Sequence, residues 1–240
     1  MKIKSMGAVI ALSIVLPGAS QAGTVVISDG TFSDADYAVQ TDGSFANTSF
    51  SSTGAQIPIG GNPGAFRQIT NNAVGRFGGA DSEVVNGWHF NTAQPYDPSE
   101  GEILSVDYSE DSIFVFGSTQ EGRLALRQGG ILYRTETSFT TGASNASFSN
   151  NQLNGLTAAD FEGFFNGNFF PTANPDFTEN GGVIEFGFFR RNVSNQNFSI
   201  GSGIDNWTVT LTTDSPVIPE PTSVTLLLGF ASATAAMRRR

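Results

Sequence analysis

The sequence predicts an all-β protein, and within that class a jelly-roll-like β-sandwich. The 240 residues include 28 glycines and 21 phenylalanines, and helix-forming residues never accumulate, a composition typical of short strands joined by tight turns. Turn signals such as Asp-Gly, Asn-Gly and Gly-Gly recur along the chain. Between them lie runs of β-branched and aromatic residues, several of which alternate with period two.

Eight such runs are the predicted strands. They cover residues 24–27, 37–40, 65–69, 83–90, 103–108, 113–116, 183–189 and 207–211. The clearest hairpin joins residues 123–127 to residues 131–134 through a glycine-containing loop. The alternation in that hairpin makes four residues candidates for its buried side: Leu124, Leu126, Ile131 and Tyr133.

One segment departs from the strand pattern. Residues 156–170 contain a possible helix cap, Thr157, ahead of five phenylalanines, and we predict a short helix and loop that plugs one open end of the sandwich. The chain shows no repeat at a solenoid or propeller period. We therefore expect a single domain over residues 23–214.

The N-terminus predicts export. Lys2 and Lys4 precede an apolar run over residues 6–16, and small residues precede a predicted cut after Ala22. This is the pattern of a secretory signal peptide over residues 1–22. The alternative is a retained N-terminal anchor, although the run is short for a bilayer span.

The C-terminus predicts a transient membrane anchor. Residues 215–223 form a linker that contains Pro219, Glu220 and Pro221, and residues 224–240 form an apolar helix with a basic tail: Arg238, Arg239 and Arg240. Fourteen apolar residues make a helix about 21 Å long against about 30 Å of hydrocarbon, which is a marginal span. The terminal arginines are expected to stay on the cytoplasmic side.

These C-terminal parts together resemble the PEP-CTERM sorting signal of exported bacterial proteins. The resemblance covers about 23 residues and implies that the Pro-Glu-Pro motif is recognised by an exosortase-type processing enzyme. It also implies a precursor anchored in the inner membrane, followed by a product at the cell-envelope surface or outside the cell. An ordinary tail anchor with a proline-rich linker is the alternative.

Short segments of the body resemble carbohydrate-binding-like jelly rolls. Residues 202–211 are similar to the closing strand of such domains, and residues 60–67 and 96–108 are similar to patterns in concanavalin-like or galactose-binding-like sandwiches. The resemblance implies a sandwich fold and, as an expectation, affinity for sugars.

Composition excludes several function classes. Residues 23–218 carry seven arginines against 21 carboxylates, a net charge of −14, which argues against nucleic acid as a partner. The chain has no cysteine and one histidine, His89, so disulfide scaffolds, thiolate metal sites and multi-histidine metal centres are excluded. We expect His89 to be a structural residue rather than a general base or a ligand.

Two kinds of binding residue are proposed from the sequence. Sugar binding would use aromatic faces with neighbouring polar groups, for which the candidates are Trp88, Tyr96, Asp97 and Trp207. Both tryptophans could instead belong to the core. A calcium ion, the one metal considered, would use Asp29, Asp34, Asp36 and Asp205. The alternative is that these are solvated loop aspartates.

The sequence favours a non-catalytic role. Glycoside hydrolysis needs two carboxylates about 5 to 10 Å apart on one cleft, and no strand carries carboxylates at alternate positions. We therefore predict an exported cell-surface or extracellular-matrix protein that binds exopolysaccharide. The alternatives are a secreted polysaccharide-active enzyme and a structural surface protein without a ligand.

Overall fold

The computed structural model describes residues 22–44, 49–74, 83–141 and 147–214. These residues form fourteen strands and three single-turn 3-10 helices. The strands are β1 Gly23–Asp29, β2 Tyr37–Ser44, β3 Ser49–Gly61, β4 Gly64–Val74, β5 Glu83–Asn91, β6 Ile103–Phe116, β7 Glu121–Gln128, β8 Ile131–Thr135, β9 Phe139–Thr140, β10 Ser149–Leu156, β11 Phe161–Phe165, β12 Asn168–Phe170, β13 Ile184–Ser194 and β14 Phe198–Thr213. The 3-10 turns are Asp34–Asp36, Pro98–Glu100 and Ala158–Asp160.

The strands form two antiparallel sheets. The six-stranded sheet has the order β10-β6-β14-β4-β3, with β1 beside the second half of β14. The eight-stranded sheet has the order β12-β11-β8-β7-β13-β5-β2, with β9 beside β7. Apolar side chains of both sheets meet between them, so the predicted all-β sandwich is confirmed. The finer jelly-roll assignment remains a prediction.

The eight predicted runs fall in seven observed strands, because residues 103–108 and 113–116 both belong to β6, and the expected turn at Glu110 and Asp111 is wrong. β13 begins one residue later than expected. The predicted hairpin is β7 and β8, in which Leu124, Leu126 and Tyr133 are buried, whereas Ile131 is 38% exposed. Ile131 lies on the same side of the hairpin as Tyr133 but next to the loop, where it is exposed, so only the prediction that it is buried is wrong.

The predicted helix over residues 156–170 is wrong beyond its first turn. Thr157 and Asp160 do form a capping box, but the chain then enters β11 and β12. Asn166 and Gly167 between these strands both have positive φ, which gives the tight turn that matches strand twist. Aromatic residues with such a turn favour a hairpin over a helix.

The targeting segments predicted at the two ends of the chain lie outside the described residues. These are the signal peptide up to residue 21, the linker from residue 215 and the C-terminal apolar helix. No helix in the described part of the chain is long and apolar enough to cross a membrane.

A fully buried ion pair joins the two sheets. Arg190 of β13 donates to both carboxylate oxygens of Glu110 in β6, at 2.6 and 2.7 Å, and neither side chain is exposed. The Tyr108 hydroxyl donates to the same carboxylate. Burial alone would lower the pKa of Arg190, but the Glu110 carboxylate outweighs burial and raises it. Removing one partner of such a pair leaves an uncompensated buried charge, so any alignment of the sheets that separates Arg190 from Glu110 is disfavoured.

His89 lies near this ion pair and is also completely buried. Its ring stacks on Phe188, with centroids 5.2 Å apart, and its Nε2 lies 3.2 Å from the Ser52 hydroxyl. Burial, reinforced by the charges of Arg67 and Arg190, holds the pKa of His89 well below its usual range. The imidazole is therefore neutral in the folded protein, in agreement with a structural role.

We predict that acidification destabilises the fold through His89. Its pKa is lower in the folded state than in the unfolded chain, so between the two values the unfolded state binds more protons and stability falls as pH falls. From pH 7 to pH 5 the loss should approach about 2 kcal/mol, the value for a group with an unfolded pKa of about 6.5 that stays neutral throughout in the folded state. Urea unfolding across this range measures it. His89→Phe should flatten the dependence, and an unchanged pH slope in that variant would contradict the assignment.

Candidate functional site

The eight-stranded sheet carries a second apolar cluster, on the face that points away from the six-stranded sheet. We call this the outer face. Its buried members are Trp88, Phe90, Ala125, Leu132, Phe164 and Phe189, with Phe169 packed against them. The cluster follows from strand alternation, because in β13 Phe188 points into the sandwich and Phe189 points outward. The central strands are thus apolar on both sides.

The outer face is strongly concave. Trp88 belongs to β5 and Phe164 to β11, four strand positions away in the sheet, which is about 19 Å across a flat sheet. Their ring centroids are only 5.5 Å apart. Trp88 also lies 4.6 Å from Phe189 and 6.2 Å from Phe169. The sheet therefore curls around its own aromatic cluster.

Gly187 lies at the centre of this curl. It is paired with Ala125 on one side and with Phe90 on the other. A Cβ at this position would lie 1.9 Å from the backbone oxygen of His89. The close approach of β13 and β5 therefore requires glycine here.

Gly187→Ala should reduce the free energy of unfolding by about 3 kcal/mol, because backbone rather than a flexible side chain must move. Chemical denaturation measures the change. Gly182→Ala is the matched control, since the nearest atom to its Cβ would be 4.0 Å away. Equal stability of the two variants would refute a role for Gly187 in the curl.

Four of the seven arginines between residues 23 and 218 lie on the outer face: Arg123, Arg127, Arg134 and Arg191. Two more, Arg67 and Arg190, are buried between the sheets, and Arg76 is outside the described residues. Among the described residues of this strongly acidic body, the arginines that reach the surface therefore lie on one face.

A carboxylate pairs with each arginine of the outer face. Arg127 lies 2.5 Å from Glu185, Arg134 lies 2.8 Å from Glu162, and Glu121 contacts both Arg123 and Arg191, at 2.6 and 3.2 Å. The face therefore presents alternating donors and acceptors with little net charge. Such an arrangement suits a ligand with many hydroxyl groups better than a polyanion.

The arginine side chains also cover the aromatic rings. The Arg134 guanidinium lies 3.3 Å from the centre of the Phe169 ring and 4.8 Å from that of Phe189, distances at which a cation is attracted to the ring face. Burial, assisted by the charge of Arg123, lowers the pKa of Arg134 to about 10 despite the neighbouring Glu162. Arg134 remains charged at neutral pH.

One line of four polar side chains crosses the outer face beside Trp88, and we call it the polar row. Backbone pairing places Asp42 of β2 next to Asn86 of β5, Asn86 next to Arg191 of β13, and Arg191 next to Glu121 of β7. The adjacent line across the same strands contains Gln40, Trp88, Phe189 and Arg123. The polar row therefore lies directly beside the aromatic rings of Trp88 and Phe189.

Several buried polar atoms on this face have no hydrogen-bond partner within the described residues. They are Asn86 Oδ1, Trp88 Nε1, Arg134 Nη1 and Arg191 Nε. Two of the four belong to the polar row and one to the ring beside it. These atoms have almost no surface exposed to solvent, so a ligand can contact them only if a neighbouring side chain moves.

The two carboxylates of the polar row have opposite pKa shifts. Burial raises the pKa of Asp42, against the effect of a hydrogen bond with Asn86. Burial acts in the same direction on Glu121, but the hydrogen bond and charge of Arg123, together with Arg191, outweigh it and lower the pKa. The row therefore ends in two acidic groups of different proton affinity.

The structure does not bring the sequence-predicted sugar residues together. Trp88 is on the outer face but completely buried, and Trp207 is completely buried between the sheets, so neither presents a ring for stacking. Tyr96 is also buried, and its hydroxyl donates to the Gly101 carbonyl. Asp97 caps the 3-10 turn that follows it by accepting from the Ser99 amide. The expectation of aromatic stacking at Trp88, Tyr96 and Trp207 therefore does not fit their places in the fold.

The aspartates proposed for calcium are not gathered into one site. Asp29 accepts hydrogen bonds from Thr31, Phe32 and Tyr37, and Asp34 pairs with Arg67 at 2.9 Å. Asp36 lies in the same 3-10 turn as Asp34, whereas Asp205 accepts from Asn62 and Asn206. Across the described ranges no group of three or more potential ligands could hold a metal ion.

The candidate residues that sequence reasoning missed are Asp42, Glu121 and Arg191. Each lies at an alternate strand position, but their juxtaposition depends on the order β2-β5-β13-β7, which local patterns do not specify. One usable signal was present in β7, where charged residues alternate with buried Leu124 and Leu126. That alternation predicts a polar outer side for β7.

Comparison with known proteins reveals little. No family model matches the chain, and no curated protein matches it. Among solved structures, the chain is similar to the family 11 carbohydrate-binding module of the cellulosomal cellulase Lic26A-Cel5E of Clostridium thermocellum. The two share 11% sequence identity with a TM-score of 0.42, over 79% of this chain and 95% of the module. Similarity at this level says nothing about what the chain binds.

Proposed function

We propose that this protein is exported, sorted by its PEP-CTERM-like tail to the cell surface or extracellular matrix, and binds exopolysaccharide without cleaving it. The binding surface is the polar row with the charged pairs beside it. The observation that carries the proposal is the group of partly exposed arginine–carboxylate pairs on this face, which present donors and acceptors side by side. Sugar hydroxyls both donate and accept hydrogen bonds, so they can bind the exposed parts of Arg191 and Glu121 together.

The side chains that would contact a sugar reach solvent. Arg191 and Glu121 are 31% and 25% exposed, and Arg127 and Glu185 are 29% and 24% exposed. The rings of Trp88 and Phe189 lie beneath these side chains, support them, and exclude water from beside the charged groups. Charge-assisted hydrogen bonds to hydroxyls on such a support are the strong contacts of this surface.

A polysaccharide-cleaving enzyme is the alternative. Asp42 and Glu121 stand at the two ends of the polar row with pKa shifts of opposite direction, but three strand spacings separate them, about 14 Å on a flat sheet, which exceeds the separation that glycoside hydrolysis needs. The binding experiment also includes an assay for new reducing ends. Their appearance with wild-type protein, and their loss in the Asp42→Asn variant, would replace the non-catalytic proposal.

The binding proposal is tested by affinity electrophoresis of the mature protein in gels that contain exopolysaccharide shed by its own host. Glu121→Gln removes a charged acceptor from the polar row and should weaken retardation about tenfold or more, because a hydrogen bond to a charged group contributes about 1.5 to 3 kcal/mol. Asp42→Asn should act in the same direction.

Glu179→Gln is the matched control, since it makes the same chemical change at an exposed position outside this face. It should migrate like wild type. Equal retardation of all variants, or no retardation of wild type, would count against sugar binding at the polar row and would favour a structural surface protein without a ligand.

The sorting proposal is tested by replacing Pro219, Glu220 and Pro221 with alanine. The variant should accumulate uncut in the inner membrane, because the processing enzyme loses its recognition motif. Cell fractionation with intact mass measures both properties. Replacement of Thr222 and Ser223 by alanine is the control and should leave processing intact, whereas normal processing of the motif variant would contradict the PEP-CTERM assignment.

A further inference from the structure

The sandwich has two edge sides, and they differ. On one side the two sheets meet at edge strands β2 and β3, where the Ser52 amide donates to the Thr41 hydroxyl at 2.9 Å. On the other side lie β10, the edge strand of the six-stranded sheet, and β12, the edge strand of the eight-stranded sheet. A turn over residues 157–160 joins β10 directly to β11, which places β10, β11 and β12 on the same side. We call this the β10 side.

The β10 side is almost uncharged in a strongly acidic protein. Residues 137–159 and 163–175 contain no Asp, Glu, Lys, Arg or His, and they include β10, β12 and the second half of β11. Of the two carboxylates between these ranges, Asp160 belongs to the capping box and Glu162 pairs with Arg134 at 2.8 Å. Because the body has a net charge of −14, two copies repel each other least where their β10 sides meet.

Strand β10 offers an edge for pairing. It pairs with β6 on one side, and none of the described strands lies on its other side. Antiparallel strands direct alternate N–H and C=O groups to one neighbour, so the remaining groups of β10 point away from β6. The pairing with β6 is regular over residues 149–153 and shifts register before Leu156. Residues 149–153 are therefore the segment that suits a further strand.

Two of the other edges have features that prevent such pairing. On β1 the Gln94 side chain binds both the amide and the carbonyl of Ser28, at 3.2 and 3.1 Å, and β12 has only three residues. Strand β10 has eight residues without proline or charge, although natural proteins usually place lysine, proline or inward charges on an exposed edge. The composition of β10 therefore favours the addition of a strand.

An aromatic pair adds apolar surface to the β10 side. The rings of Phe165 in β11 and Phe170 in β12 stack with centroids 4.0 Å apart and 6° between their planes, and they are 39% and 36% exposed. Strand alternation directs them away from the outer face, to which Phe164 and Phe169 belong. They therefore point to the side of their sheet on which the six-stranded sheet lies. Phenylalanine is enriched in protein interfaces.

We infer that the β10 side is an interface between two copies of this chain, in which β10 of one copy pairs antiparallel with β10 of the other. A two-fold axis makes each strand the partner of its own equivalent, so neutral side chains meet neutral side chains. The six-stranded sheets of the two copies then form one continuous sheet. This inference is independent of the proposed sugar binding.

The nearest carboxylates of β6 do not oppose this contact, because β10 itself binds them. Asp107 accepts a hydrogen bond from the Gly155 amide at 2.6 Å. Asp111 accepts one from the Asn150 side chain at 2.9 Å. Both charges are thus compensated by donors of the same copy before a second copy arrives.

The test measures the mass of the full chain in mild detergent by sedimentation velocity over a range of protein concentrations, with bound detergent subtracted. Wild type should form a dimer, and added salt should strengthen it, because salt screens repulsion between the acidic bodies and the inferred interface has no ion pair. Gln152→Glu combined with Asn154→Asp places like charges on both sides of the two-fold axis. This variant should dimerise at least about tenfold more weakly.

Asn195→Asp combined with Gln196→Glu is the matched control, since it makes the same chemical changes at exposed positions in the turn between β13 and β14. It should dimerise like wild type, and circular dichroism verifies that all three proteins are folded. A monomeric wild type would overturn the inference. So would a dimer that the changes at Gln152 and Asn154 leave intact, as association through the C-terminal helix would give. Equal weakening in the control would also overturn it, because net charge rather than β10 would then limit association.

Discussion

The eight-stranded sheet is apolar on both faces, and most other features of the molecule depend on this. Strand β13 places Phe186 and Phe188 in the sandwich core and Phe189 in the second cluster. One face is covered by the six-stranded sheet. The other has no second sheet among the described strands, and it buries its rings by curling, which brings Trp88 of β5 against Phe164 of β11. Burial of these large rings outweighs the cost of bending the sheet.

The curvature of the eight-stranded sheet also determines where polar and charged side chains can lie. Arginines at alternate positions of β7, β8 and β13 surround the aromatic cluster, and their alkyl stems and guanidinium planes can lie on the rings while their charged ends meet carboxylates. Arg134 shows this most clearly, with Phe169 beneath it and Glu162 beside it. The surface proposed for sugar binding is thus a consequence of how the second cluster is covered.

Polar and charged side chains are buried between the sheets, which costs free energy of desolvation. The Glu110–Arg190 pair and neutral His89 lie in the interior where apolar residues would cost less. Each has a partner on the opposite sheet: Arg190 meets Glu110 of β6, and His89 meets Ser52 of β3. These contacts favour one alignment of the two sheets.

The sequence by itself determined the fold class, segments of seven strands and the hairpin of β7 and β8, because alternation and turn residues are local properties. Because the chain has no cysteine and one histidine, the sequence also excluded disulfide scaffolds, thiolate metal sites and multi-histidine metal centres. Only the tertiary structure decided that Trp88 and Trp207 are buried in different clusters, and that Asp42, Asn86, Arg191 and Glu121 share one row. Strand order and sheet curvature bring together residues that are distant in the chain. Period-two alternation gives each strand two faces but does not state which strands are neighbours.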